Sequence, residues 1–198
     1  MVTHLFTNGG LMEVIQKIFP TDTTTSSTSV IAQTGWILLF AALTALGAQI
    51  QIPHQPIPFT LQTFFVLLSG AFLGTRNGFI AQLFYIGIGA VGLPVFTGAS
   101  FGLVKVFGLT GGYLISFPIA AALVGYFVTI QKGYVWTIIS MFLGLIVVFT
   151  FGTLYLNFIA IHNIQQAIIS GFLIFSWWDI LKLSAAAAIY NEFAKRYR

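Results

Sequence analysis

Cysteine is absent from this chain, which excludes disulfides, thiolate nucleophiles and cysteine metal sites. Charge is nearly as scarce: Asp, Glu, Lys and Arg together make up 6% of 198 residues, where a soluble domain carries about a quarter. His4, His54 and His162 fall in separate segments without a carboxylate at ligand spacing. Neither a metal site nor histidine-based catalysis is expected, and no cofactor is called for. The phosphate-cradling pattern Gly-x-x-x-x-Gly-Lys does not occur, so any use of ATP belongs to a partner. The start lacks the apolar core and small-residue cleavage site of a signal peptide, and the N-terminal segment is expected to be retained.

What is present is apolar: 58% of the residues are hydrophobic and the mean hydropathy is +0.95. Such a chain is an integral membrane protein, and the lipid bilayer is its first partner. The formal charge of +4 then speaks of topology, not of nucleic acid. Residues 1–34 form the one segment of soluble character. Within it, apolar residues at 11, 14, 15, 18 and 19 suggest a weak amphipathic helix, followed by a flexible Thr/Ser-rich linker over 21–29.

From 35 to 194 the sequence predicts an all-α membrane domain of six apolar runs, about 35–52, 59–73, 79–93, 112–130, 134–160 and 166–191. The second and third runs are each about 23 Å as helices, short of the roughly 30 Å of hydrocarbon. They are expected to form a short hairpin turning at Gly74-Thr-Arg-Asn-Gly78. No fixed-period repeat supports an inverted-repeat transporter. With the N-terminus inside, Lys17, Arg76, Lys132, Lys195, Arg196 and Arg198 are cytoplasmic, six of the eight basic residues. Both termini, including the basic tail 195–198, are therefore expected on the cytoplasmic side.

The chemistry concentrates in the last run, where Asp179 and Lys182 lie three residues apart in a segment otherwise fit for hydrocarbon. On a helix they share a face, with Ser176 a turn earlier. A charge in the membrane interior costs several kcal/mol unless paired, so the pair marks a site or, alternatively, locks helices together. The outside connection 94–111 is long, rich in glycine and also apolar, which suggests a lid folding back onto the bundle, with Tyr113 opening the next helix beneath it. Gln62, near the outer surface, carries an amide suited either to a ligand or to a neighbouring helix. Gln82 and Tyr85 read as interhelical contacts. Ala41, Ala45 and Ala48 form a small-residue stripe that permits close approach of a helix, from within the chain or from a partner.

Gly47-Ala-Gln-Ile-Gln-Ile-Pro53, Pro58-Phe-Thr-Leu-Gln-Thr63, Gly87-Ile-Gly-Ala-Val-Gly-Leu-Pro-Val-Phe96, Gly108-Leu-Thr-Gly-Gly-Tyr-Leu114 and Asp179-Ile-Leu-Lys182 occur in this order. Together they resemble the BioY family, the biotin-specific substrate-binding S components of energy-coupling factor transporters, over residues 36–190. The resemblance implies six helices, cytoplasmic termini and an outward-facing site capped by the loop after the third helix. It further implies a transmembrane coupling (T) protein and two ABC-type ATPases as partners, with no enzymatic activity in this chain itself.

On that resemblance Gln62, Asp179 and Lys182 contact biotin, and Ala41 and Ala45 meet the coupling protein. Ser100 and Phe101 of the lid, and Tyr113, complete the candidate binding residues, with Trp177 or Trp178 as further aromatic walls. Three departures from the family pattern touch the lid: Leu109 replaces a proline, Gly98-Ala99 replaces a glycine pair, and Phe101 replaces a small or polar residue. The alternatives are an S component for another vitamin, a self-sufficient ion-coupled carrier using Asp179, and a structural subunit that binds nothing.

Overall fold

A computed structural model describes residues 27–173 and 176–196. The expected amphipathic helix at 11–19 and the tail residues 197–198 lie outside these. Helix α1 spans Ser27–Gln49, so it starts inside the stretch expected to be a linker. A two-residue ribbon follows, β1 (Gln51–Ile52) paired antiparallel with β2 (Phe59–Thr60), Gln51 opposite Thr60. Then come α2 (Gln62–Val91), the short α3 (Leu103–Val106) and α4 (Gly111–Ile130). Helix α5 (Tyr134–Leu156) continues through a π-helical turn, Asn157–Ile161. The chain ends in α6 (Ile164–Gly171) and α7 (Ser176–Arg196).

Helix α2 is broken at Gly74, whose φ of 75° and ψ of −176° are open to glycine and closed to residues with a Cβ. A straight helix would hold residues 62 and 85 about 35 Å apart. Instead Gln62 Nε2 donates to Tyr85 Oη at 2.6 Å, and Gln82 Nε2 donates to Ser69 Oγ at 2.9 Å. The two halves therefore run antiparallel, as the short second and third runs predict. Gln82 also donates to Thr44 Oγ1 at 3.1 Å, fastening α1 to the hairpin. Hydrogen bonds of this kind are how polar side chains fix helix contacts where no water is present.

The hairpin packs most extensively on α4, and α4 on α5. The core between them holds Leu67, Phe117, Val124, Met141 and Leu145. The outer surface is also apolar: Ile31, Leu46, Leu83, Val135, Leu154 and Leu181 are all exposed. A soluble monomer does not present so much apolar surface, whereas a bilayer covers it. Four helices among the described residues are long and apolar enough to cross a membrane: Val30–Gln49, Gln62–Val91, Gly111–Ile130 and Tyr134–Ile161. The protein is a multi-pass membrane protein.

The last run departs from expectation. A single helix over 166–191 is predicted, but α6 ends at Gly171 and α7 starts at Ser176. The Gly171 carbonyl accepts the Tyr113 hydroxyl at 2.8 Å, so a side chain satisfies a group that a further helical turn would otherwise take. Phe172 then turns onto Phe149, with ring centroids 5.6 Å apart.

Candidate binding site

The site begins with the α7 N-terminus, which brings Asp179 against the first turn of α2. Asp179 is 2% exposed and forms an ion pair with Lys182 at 2.6 Å. Asp179 Oδ1 also accepts from Thr63 Oγ1 at 2.7 Å. Lys182 Nζ donates to Thr63 Oγ1 at 2.8 Å and to the Thr60 carbonyl at 2.9 Å. An ammonium has three donors, and here all three are engaged by the protein. Asp179 is different: its Oδ2 is buried with no hydrogen-bond partner among the described residues. An open acceptor on a buried carboxylate is expensive unless something donates to it.

These residues line a cavity of about 530 Å³, a figure that includes its opening to the outside. Tyr113, Leu114, Phe117, Val148 and Phe149 give it an apolar wall. Ile57, Pro58, Thr60, Gln62 and Thr63 enter from the β1–β2 loop and the start of α2, and Phe96, Thr97, Lys105 and Thr110 from the connection over the top. Gln62 accepts from Thr60 Oγ1 at 3.2 Å while donating to Tyr85, which leaves one amide N–H and part of its oxygen free. Thr110 Oγ1 is buried without a partner among the described residues. Lys105 has no acceptor among the described residues, although it lines the same cavity.

Of the residues predicted from sequence, the structure brings Gln62, Tyr113, Asp179 and Lys182 together. Ser100 and Phe101 do not line the cavity. Ser100 closes a turn, its Oγ donating to the Thr97 carbonyl at 2.9 Å and its carbonyl accepting from the Phe96 N–H at 3.0 Å. Phe101 is 59% exposed. Trp177 and Trp178 are also exposed, because the cavity-facing side of α7 belongs to Asp179 and Lys182. The aromatic wall is Phe96, Phe117 and Phe149 instead. Ala41 is 1% exposed, packed within the bundle; Ala45 is half-buried.

Sequence reasoning missed Lys105, Thr60 and Thr63. Lys105 is the one basic residue of the 94–111 connection, and that was the available signal. Among the described residues no group of three His, Asp or Glu is arranged to hold a metal.

A family model described as the BioY family matches residues 21–198. The chain belongs to the BioY family. It is 42% identical over 151 residues to the biotin transporter BioY of Thermotoga maritima, covering 76% of this chain and 89% of that one. It is likewise 42% identical over 153 residues to the probable biotin transporter BioY of Pyrococcus horikoshii, covering 77% and 90%. The fold matches the crystal structure of the S-component for biotin from an ECF-type ABC transporter. There the TM-score is 0.80 at 24% identity, over 87% of this chain and 95% of the other, so that likeness speaks for the fold. Membership in the BioY family agrees with the resemblance carried by the sequence motifs.

Proposed function

We propose that this protein takes up biotin across the cytoplasmic membrane as the biotin-binding S component of an ATP-driven energy-coupling factor transporter. The observation that carries the reading is Asp179 Oδ2, without a hydrogen-bond partner among the described residues, facing a cavity with polar groups on one side and an apolar wall on the other. Biotin offers a ureido ring with two N–H donors and one carbonyl, an apolar thioether and valeryl chain, and a terminal carboxylate. Asp179 Oδ2 accepts a ureido N–H, a charge-assisted bond. The spare amide N–H of Gln62 serves the ureido carbonyl; Lys182, already saturated, holds Asp179 oriented. Tyr113, Phe117 and Phe149 cover the apolar body, and Lys105 meets the carboxylate from the lid side. Ser100 shapes the lid without touching the ligand.

In this reading six spans cross the bilayer: α1, the two halves of α2, α4, α5 and α7, with both termini cytoplasmic. A T protein and two ABC-type ATPases supply the energy, since the chain has no phosphate-cradling motif of its own. The coupling protein meets α1 through Ala45 and its exposed neighbour Ala42, with Ala41 turned inward. An ion-coupled carrier is disfavoured because Asp179 is already neutralised by Lys182 at 2.6 Å.

The test is labelled-biotin uptake into cells that lack other biotin importers and express this chain with a coupling protein and ATPases. Uptake is expected to vanish when the ATPases carry an inactivating substitution. Uptake that continues without them and collapses with a proton uncoupler would establish the ion-coupled alternative instead.

A further inference from the structure

Gln49, the last residue of α1, grips the connection over the cavity on both sides of its turn. Its Oε1 accepts from the Ala99 N–H at 3.0 Å. Its Nε2 donates to the Phe96 carbonyl at 3.0 Å, with the Val95 carbonyl at 3.4 Å. These neighbours fix the amide's orientation, because the reversed amide would set oxygen against carbonyls and nitrogen against an N–H.

The turn is braced from outside at its strained point. It runs from Phe96 to Ser100 and passes through Gly98 at φ 71° and Ala99 at φ 52°. An alanine in the left-handed region is strained by its own Cβ, and the turn's own bonds, Phe96 N–H to the Ser100 carbonyl and Ser100 Oγ to the Thr97 carbonyl, are supplemented by Gln49 at the strained residue. What the brace positions is the roof of the site: Phe96 is fully buried and lines the cavity, and Thr97 lines it beside Phe96. Gln49 itself is exposed and does not line the cavity.

We propose that Gln49 is a positioning residue that latches this lid shut, so that it governs the passage of ligand and not its recognition. A closed lid must open both to admit ligand and to release it. Loss of the latch therefore speeds both steps, whereas damage to the site would speed release alone. The inference rests on the cavity being the biotin site.

The experiment pairs hydrogen exchange of the ligand-free protein with biotin binding kinetics in nanodiscs, for wild type, Gln49→Leu and Gln49→Glu. In Gln49→Leu the Ala99 amide is expected to exchange about five- to tenfold faster, the loss of one modest hydrogen bond. The Leu114 amide, bonded to the Thr110 carbonyl, stays unchanged as the internal control. Biotin association and dissociation both rise about three- to tenfold, so Kd moves less than either rate. Gln49→Glu keeps an acceptor for Ala99 but sets its second oxygen against the Phe96 carbonyl, so its Ala99 exchange is expected to lie between wild type and Gln49→Leu. Unchanged Ala99 exchange in Gln49→Leu, or faster dissociation without faster association, would overturn the latch. Wild-type protein that fails to bind biotin would remove the ligand reading, while the exchange result still decides whether Gln49 holds the lid.

Discussion

Thr63 donates its hydroxyl to Asp179 Oδ1 at 2.7 Å, joining helices 116 positions apart in sequence. The Thr63 hydroxyl oxygen in turn accepts from Lys182 Nζ at 2.8 Å, so one hydroxyl sets the direction of both charges. The result is an asymmetric carboxylate: Oδ1 is doubly engaged and Oδ2 is open. A pair that served only to fasten helices would gain by engaging both oxygens. The arrangement predicts that Thr63→Val, close in shape but without the hydroxyl, weakens biotin binding about tenfold and costs about 1–3 kcal/mol of stability. Binding calorimetry and a thermal melt in detergent check the two effects separately.

The ion pair itself separates stability from function. Removing Lys182 alone, as Lys182→Met, strands a buried charge and is expected to cost about 3–5 kcal/mol. Replacing both partners, as Asp179→Leu with Lys182→Met, restores much of that stability because two desolvated charges are gone. Biotin binding stays absent in the double variant. If the double variant bound biotin, the pair would be a fastener and the reading of Asp179 as a ligand contact would fail.

Lys105 predicts a dependence on one end of the ligand. Lys105→Gln should weaken biotin by roughly 1.5–3 kcal/mol, the worth of a charge-assisted bond. Biotin methyl ester, which has no carboxylate, should bind wild type and variant alike. An equal loss for acid and ester, measured by calorimetry, would place Lys105 elsewhere.

Phe96 sits fully buried, edge-on to Tyr85 with ring centroids 5.6 Å apart. Its place depends on Gly89, because a Cβ built there would overlap the Phe96 ring. Gly89→Ala is expected to push the roof of the cavity outward, at about 1–3 kcal/mol for overpacking. A lower melting temperature together with weaker biotin binding is the expected outcome.

Much of this was legible in the sequence for physical reasons. Charges are so rare in hydrocarbon that Asp179 and Lys182 announced themselves, and their i, i+3 spacing set them on one face. Two runs too short to span, separated by Gly74 and Gly78, forecast the hairpin. What was hidden depended on tertiary direction. Periodicity does not say which side of α1 faces inward, so Ala41 was legible as small but not as buried. The ambiguous apolar stretch 166–191 conceals a break made by a distant partner, the Tyr113 hydroxyl on the Gly171 carbonyl. Lys105 looked like a loop cation until the connection folded it over the cavity. Thr60 and Thr63 carried no signal of their own, because a backbone carbonyl and a hydroxyl acquire their roles only when α7 arrives.

The most direct test is calorimetry of biotin binding to the purified protein in nanodiscs, beside Asp179→Asn. The account predicts saturable one-to-one binding to wild type. It also predicts at least a tenfold loss in the variant, which keeps the shape but removes the charge-assisted acceptor, worth about 1.5–3 kcal/mol. Equal affinity in the two proteins, or no saturable binding to wild type, would contradict it.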